Sequence, residues 1–182
     1  MEYNTDISFD TVYSITTEFN GKKYKLGSHR FLEKEKLPNN ESKIMCHCQN
    51  HYGQEWVFVE KFKGLYEIRF NNDETFLNRV GYYLNVKNDN ELILSNKSKS
   101  LWKLEIIGES EDNKYYIKNV KNNYYLYLNS HDKRDINSFY MDIKNTIDKN
   151  DNKKNFIFSL NIFNKKNNIL NLLKNEEFNY VE

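Results

Sequence analysis

The chain has little of what staples, kinks or anchors a protein. Among 182 residues there are one proline, six glycines and two cysteines. Cys46 and Cys48 stand too close together to form a loop-closing disulfide framework, and the six glycines include no phosphate-cradling loop. Charge of one sign is lacking too. The 27 Lys plus Arg face 26 Asp plus Glu, for a formal net charge of +1. That balance gives no electrostatic footprint for nucleic acid or an acidic membrane surface. No apolar run approaches the length that spans a bilayer, so no membrane insertion is expected. The first residues lack the charged start and apolar core of a signal peptide. The expected location is the cytoplasm, or the outside after release without a conventional signal peptide.

Catalytic patterns are missing as well. Serines, histidines and carboxylates occur, but none sits in a nucleophile elbow or a metal-hydrolase motif. The expectation is a protein that is not an enzyme and needs no cofactor. Cys46-His47-Cys48 with His51 carries zinc-type ligands. On a strand, however, Cys46 and Cys48 point one way and His47 the other, so the reading is buried thiols and no metal.

What is present is aromatic and alternating. Hydrophobic residues are only 38% of the chain but aromatics reach 15%, so large rings must fill much of the core. The stretch from Gly81 to Val120 holds four short runs, Tyr82–Val86, Leu92–Asn96, Trp102–Ile106 and Tyr116–Val120. Each is rich in β-branched and aromatic residues at every second position, and polar turn residues separate them. These are strands with one buried face.

Two looser copies flank this unit. The first has strands at Val12–Ile15, at Lys23–Leu26 after an Asn20-Gly21 hairpin turn, at Lys43–Asn50, at Trp56–Val59 and at Leu65–Phe70. The third has Tyr124–Leu128, a loop from Ser130 to Asp135, Phe139–Ile143, Phe156–Phe163 and a closing strand over 169–173. Aligned, Leu26, Val86 and Leu128 end one shared strand. Asn50, Asn96 and Asn145 end the next, and Trp56, Trp102 and Phe156 open the third. The expected organisation is one domain over 1–182, with repeats near 9–70, 71–120 and 121–173 and a tail over 174–182.

Three repeats of four strands, about 45 to 55 residues each, require an architecture with threefold closure. Three blades fall short of the roughly four that a propeller needs. Three units closing one barrel, with hairpins capping one end, leave no open edge. The expected fold is an all-β β-trefoil with pseudo-threefold symmetry.

The chain resembles the ricin B-type (R-type) lectin trefoils over roughly residues 9 to 173. Gln54-Glu55-Trp56 is an intact copy of that family's Gln-x-Trp signature. Leu84-Asn85-Val86 and Leu126-Tyr127-Leu128 are similar to its Leu-Asp-Val strand, and Tyr116-Ile117-Lys118-Asn119 to its x-Ile-x-Asn strand. The resemblance implies a β-trefoil and a carbohydrate ligand. In sugar-binding repeats the middle residue of Leu-Asp-Val accepts hydrogen bonds from vicinal hydroxyls, and this chain aligns Lys25, Asn85 and Tyr127 there. The expected ligand residues are therefore Asn85 and Asn96 for polar contacts and Tyr83 or Tyr127 for stacking, with Asn85 facing outward. The expected partner is a weakly bound carbohydrate. The alternative is a protein partner, on a fascin-like or inhibitor-like trefoil whose sugar sites have decayed.

Overall fold

Twelve strands appear among the described residues of the computed structural model, which are 7, 11–28, 35–50, 53–71, 82–97, 100–109 and 112–163. They are β1 (Val12–Phe19), β2 (Lys22–Gly27), β3 (Met45–His47), β4 (Trp56–Phe62), β5 (Leu65–Phe70) and β6 (Tyr83–Lys87). They continue with β7 (Glu91–Ser95), β8 (Trp102–Ile106), β9 (Lys114–Asn119), β10 (Tyr125–Asp135), β11 (Ser138–Lys144) and β12 (Phe158–Ile162). Six of them close a ring of antiparallel pairs: β1 with β4, β4 with β5, β5 with β8, β8 with β9, β9 with β12, and β12 back to β1. The other six form three hairpins, β2–β3, β6–β7 and β10–β11. A closed six-stranded barrel with three hairpins is a β-trefoil, and closure removes the free edges of the barrel.

The pattern that builds it is alternation. Trp56 and Phe58 on β4, Trp102 and Leu104 on β8, and Phe156 and Phe158 at the entry to β12 are all buried at two-residue spacing. In the hairpins the buried pairs are Ile44 and Cys46, Leu92 and Leu94, and Met141 and Ile143. The Asn20-Gly21 turn takes positive φ at both residues, 49° and 74°, as a tight hairpin requires.

The pairing also revises several expectations. β12 pairs with β1, so β1 stands where the third copy needs its last strand. The strand expected over 169–173 and the tail over 174–182 lie outside the described residues, as does His51. The loop expected from Ser130 to Asp135 is instead the far half of β10, which pairs with β11 through two register shifts. Shifts of this kind absorb extra residues without ending a strand, so the polar run there hides its pairing. Phe156 ends a 3-10 turn, Lys153–Phe156, and does not itself open a strand. Among the described residues no helix is long and apolar enough to cross a membrane.

Candidate functional site

The two tryptophans fix the true register between copies. The Trp56 indole N–H donates to the carbonyl of Leu26 and that of Trp102 to the carbonyl of Leu84, both at 3.0 Å. Leu26 therefore matches Leu84, two residues before the Val86 that sequence alignment paired with it. The position held by Asn85 and Tyr127 in the later copies is then Gly27 in the first, and Lys25 falls elsewhere. The contacts agree. A Cβ on Gly27 would stand 2.7 Å from the Gly53 carbonyl oxygen and 3.2 Å from the Gln54 side chain. In the second copy the same place holds the Asn85 side chain against the N–H of Ser100.

Each of these three positions serves the fold. Gly27 offers no side chain. Asn85 is fully buried, which corrects the expectation that it faces outward. Its Nδ2 donates to the Ser95 carbonyl at 3.2 Å and its Oδ1 accepts from the Ser100 N–H at 2.9 Å. Those bonds tie the chain returning from β7 back onto β6, and the amide is a fold element. Tyr127 lies half-buried with its ring stacked on Phe156, centroids 4.9 Å apart and planes 13° from parallel. Burial, and then the nearby Asp142 carboxylate, push its phenol above the ordinary range. Lys25, aligned with these positions on sequence, donates from Nζ to Asn50 Oδ1, and its ammonium is pushed down by burial.

The remaining expected residues are split between copies. Tyr83 is half-buried and pairs with Ser95 on one side and Arg69 on the other. Asn96 is exposed in the bend after β7, where the Lys97 N–H donates to Ser95 Oγ at 3.1 Å. Ser95 thus joins Tyr83 by strand pairing and Asn85 by a hydrogen bond, with Asn96 next in the chain, whereas Tyr127 belongs to the third copy's hairpin. The thiols are occupied too: Cys46 Sγ donates to the Phe139 carbonyl and Cys48 Sγ to Asn137 Oδ1, each at 3.6 Å.

Sequence reasoning missed the concavity beside Asn85. A cleft of about 350 Å³ is lined by Val86, Asp89, Ser100, Leu101, Asn119, Val120 and Lys121. Its volume lies within the roughly 300–1,000 Å³ of small-ligand pockets. Two turns build its rim. Asp89 sits at positive φ, 65°, in the β6–β7 turn, and Lys121 in the turn before β10. Asn122 Nδ2 donates to the Asp89 carbonyl at 2.8 Å, and Lys121 Nζ pairs with Asp89 Oδ1 at 2.9 Å. Behind the rim, Asn119 Oδ1 accepts from the Lys121 N–H at 3.1 Å and holds the second turn in shape. The floor is formed by half-buried Val86, Leu101 and Val120. Ser100 Oγ accepts from the Val86 N–H at 2.9 Å, which leaves its hydroxyl proton to donate. The Asn-rich turns at 88–90 and 121–123 were legible as turns, but nothing in the sequence shows that they stand side by side.

No protein-family model matches the chain, and no curated protein sequence matches it. Solved structures do. The designed threefold-symmetric protein ThreeFoil superposes with a TM-score of 0.61 at 14% identity, covering 85% of this chain and all of that one. An SDF2-like protein from Arabidopsis thaliana gives 0.59 at 13% identity, over 85% of this chain and 94% of that one. A proteinase inhibitor from Coprinopsis cinerea gives 0.54 at 12% identity, over 84% and 97%. At these identities the likeness carries the fold alone.

Proposed function

We propose that the chain is a non-enzymatic binding module, and that the second-copy cleft takes a neutral carbohydrate. The observation that carries this reading is the cleft's division into an apolar floor and a charged, hydrogen-bonding rim. A pyranose has the same two sides, a face of C–H groups and an edge of vicinal hydroxyls. Asp89 accepts from one hydroxyl while Lys121 donates to its neighbour. Their mutual pair is largely exposed, and such pairs are worth about 0–1 kcal/mol, so a ligand displaces little by entering. Asn85 acts one step back, by holding Ser100 at the cleft wall. The likeness to ricin B-type trefoils supports the ligand class. The contact residues are new, because the position that family uses for sugar is here built into the fold. One shallow site binds weakly, so affinity depends on clustering several copies.

A second reading has its own observation. Phe62, Ile136 and Ile162 are 65%, 79% and 74% exposed. Phe62 precedes the β4–β5 turn, Ile136 caps the β10–β11 hairpin and Ile162 ends β12. Exposed apolar side chains, two of them at hairpin turns, suit a protein partner, and one fold neighbour is a proteinase inhibitor.

A glycan array with the folded, multivalently presented protein separates the two. The carbohydrate reading expects a neutral hexose ligand that Asp89→Asn abolishes with melting unchanged. Silence across the array by folded protein overturns it. Capture of one protein partner that Phe62→Ser or Ile136→Ser releases would then establish the second reading.

A further inference from the structure

A second cleft, of about 310 Å³, opens on the barrel wall and is built from strands remote in sequence. Register explains its composition. Thr16 on β1 pairs with Ser159 on β12, and Ser159 pairs with Lys114 on β9. Their side chains form one row on the outer face, because the residues that alternate with them, Ile15, Phe158, Leu160 and Tyr115, are buried in the core. Lys23 enters from β2, opposite Glu18 of β1. Lys154 enters from the 3-10 turn, whose carbonyl at that residue accepts from Thr17 Oγ1 at 2.9 Å. Asn161 Nδ2 donates to Thr16 Oγ1 at 3.5 Å, so an amide and the three hydroxyls of Thr16, Thr17 and Ser159 lie among the cations.

The charges do not balance. Lys23, Lys114 and Lys154 line the cleft against the single carboxylate of Glu18, in a chain whose whole formal charge is +1. Glu18 reaches Lys154 only loosely, at 3.9 Å. Neither Lys23 nor Lys114 has a carboxylate partner among the described residues. A concavity in which one sign of charge predominates concentrates counter-ions, and lysine serves oxyanions as a compact point charge with three donors. Hydroxyl and amide groups between the lysines supply further hydrogen bonds to such a group.

We propose that this barrel-wall cleft is an anion site that takes the phosphate or sulfate group of a small monoester. It is separate from the second-copy cleft and does not depend on what that cleft binds. The volume admits the oxyanion together with one attached ring. The test titrates the isotope-labelled full chain with inorganic phosphate, inorganic sulfate, a hexose monophosphate, a hexose monosulfate and the plain hexose, all at fixed ionic strength. Amide shifts that saturate at Thr16, Lys23, Lys114 and Ser159 with the anions, and none there with the plain hexose, are the expected result. Preference between phosphate and sulfate forms identifies the source of the group. Lys23→Gln with Lys114→Gln should weaken binding about tenfold or more, the order expected for losing charge-assisted hydrogen bonds. Lys61→Gln with Lys63→Gln, at the β4–β5 turn, removes the same charge outside the cleft and should leave binding unchanged. Shifts that never saturate, or an equal loss in both double variants, would overturn the proposal.

Discussion

Ser100 donates its backbone N–H to Asn85 Oδ1 at 2.9 Å, while Asn85 Nδ2 reaches the Ser95 carbonyl. One buried amide therefore ties Ser95, the last residue of β7, to Ser100 at the entry to β8. Asn85→Ala strips the Ser100 N–H of its acceptor and the Ser95 carbonyl of its side-chain donor, at a cost of about 1–3 kcal/mol. Denaturant unfolding should show that loss, whether or not a sugar is present. An unchanged midpoint would mean that the amide is not a fold element. Asn85→Asp keeps the Ser100 contact but sets a carboxylate against the Ser95 carbonyl, and should destabilise above the carboxylate's titration range.

Gly27 holds the equivalent place in the first copy for a different reason. Gly27→Ala brings a Cβ to 2.7 Å from a backbone oxygen, that of Gly53, which has no flexible side chain to yield. Overpacking of this kind costs about 1–3 kcal/mol. Thermal unfolding should place this variant clearly below wild type, whereas Gly21→Ala, with open space around it but positive φ, suffers from backbone strain alone.

Trp56 and Trp102 make the same indole-to-carbonyl bond in two copies. Trp56→Phe and Trp102→Phe each strip a buried carbonyl of its donor and leave a void, for about 2–4 kcal/mol. The two losses should be similar, because the geometry is repeated. A loss confined to one variant would show that the copies are not energetically equivalent.

Tyr140 sets an alkaline limit. Burial first, and then the neighbouring Glu35 carboxylate that accepts its hydroxyl proton, push its phenol up to about 12. The unfolded chain ionises this group near the ordinary value of 10.0. Below that value both states hold the proton and the contribution is complete. Between it and about 12 only the unfolded state has lost the proton, so stability falls as pH rises. Tyr140→Phe should flatten part of that decline in unfolding curves taken from neutral to strongly alkaline pH. A decline of the same steepness in the variant would assign it to other groups.

The sequence by itself determined the fold class. Two-residue alternation, Asn- and Gly-marked turns and recurring Trp56, Trp102 and Phe156 are local signals, and threefold recurrence with no spare edge leaves few closed architectures. Register between copies was not local. Leu26 matched Val86 in alignment, and only the indole bonds reached from Trp56 and Trp102 show that it answers to Leu84. The two-residue slip preserves alternation and so is invisible in it. Burial of Asn85 was equally hidden, because an amide in a strand reads as outward-facing until a returning segment covers it. Both clefts belong wholly to tertiary structure. Asp89 and Lys121 meet because two hairpin turns are packed side by side, and Lys23, Lys114 and Lys154 because the barrel closes β12 onto β1. Local pattern encodes which face each residue takes, whereas the charges and hydroxyls that share a cleft are brought together by strand order, which depends on where the chain returns.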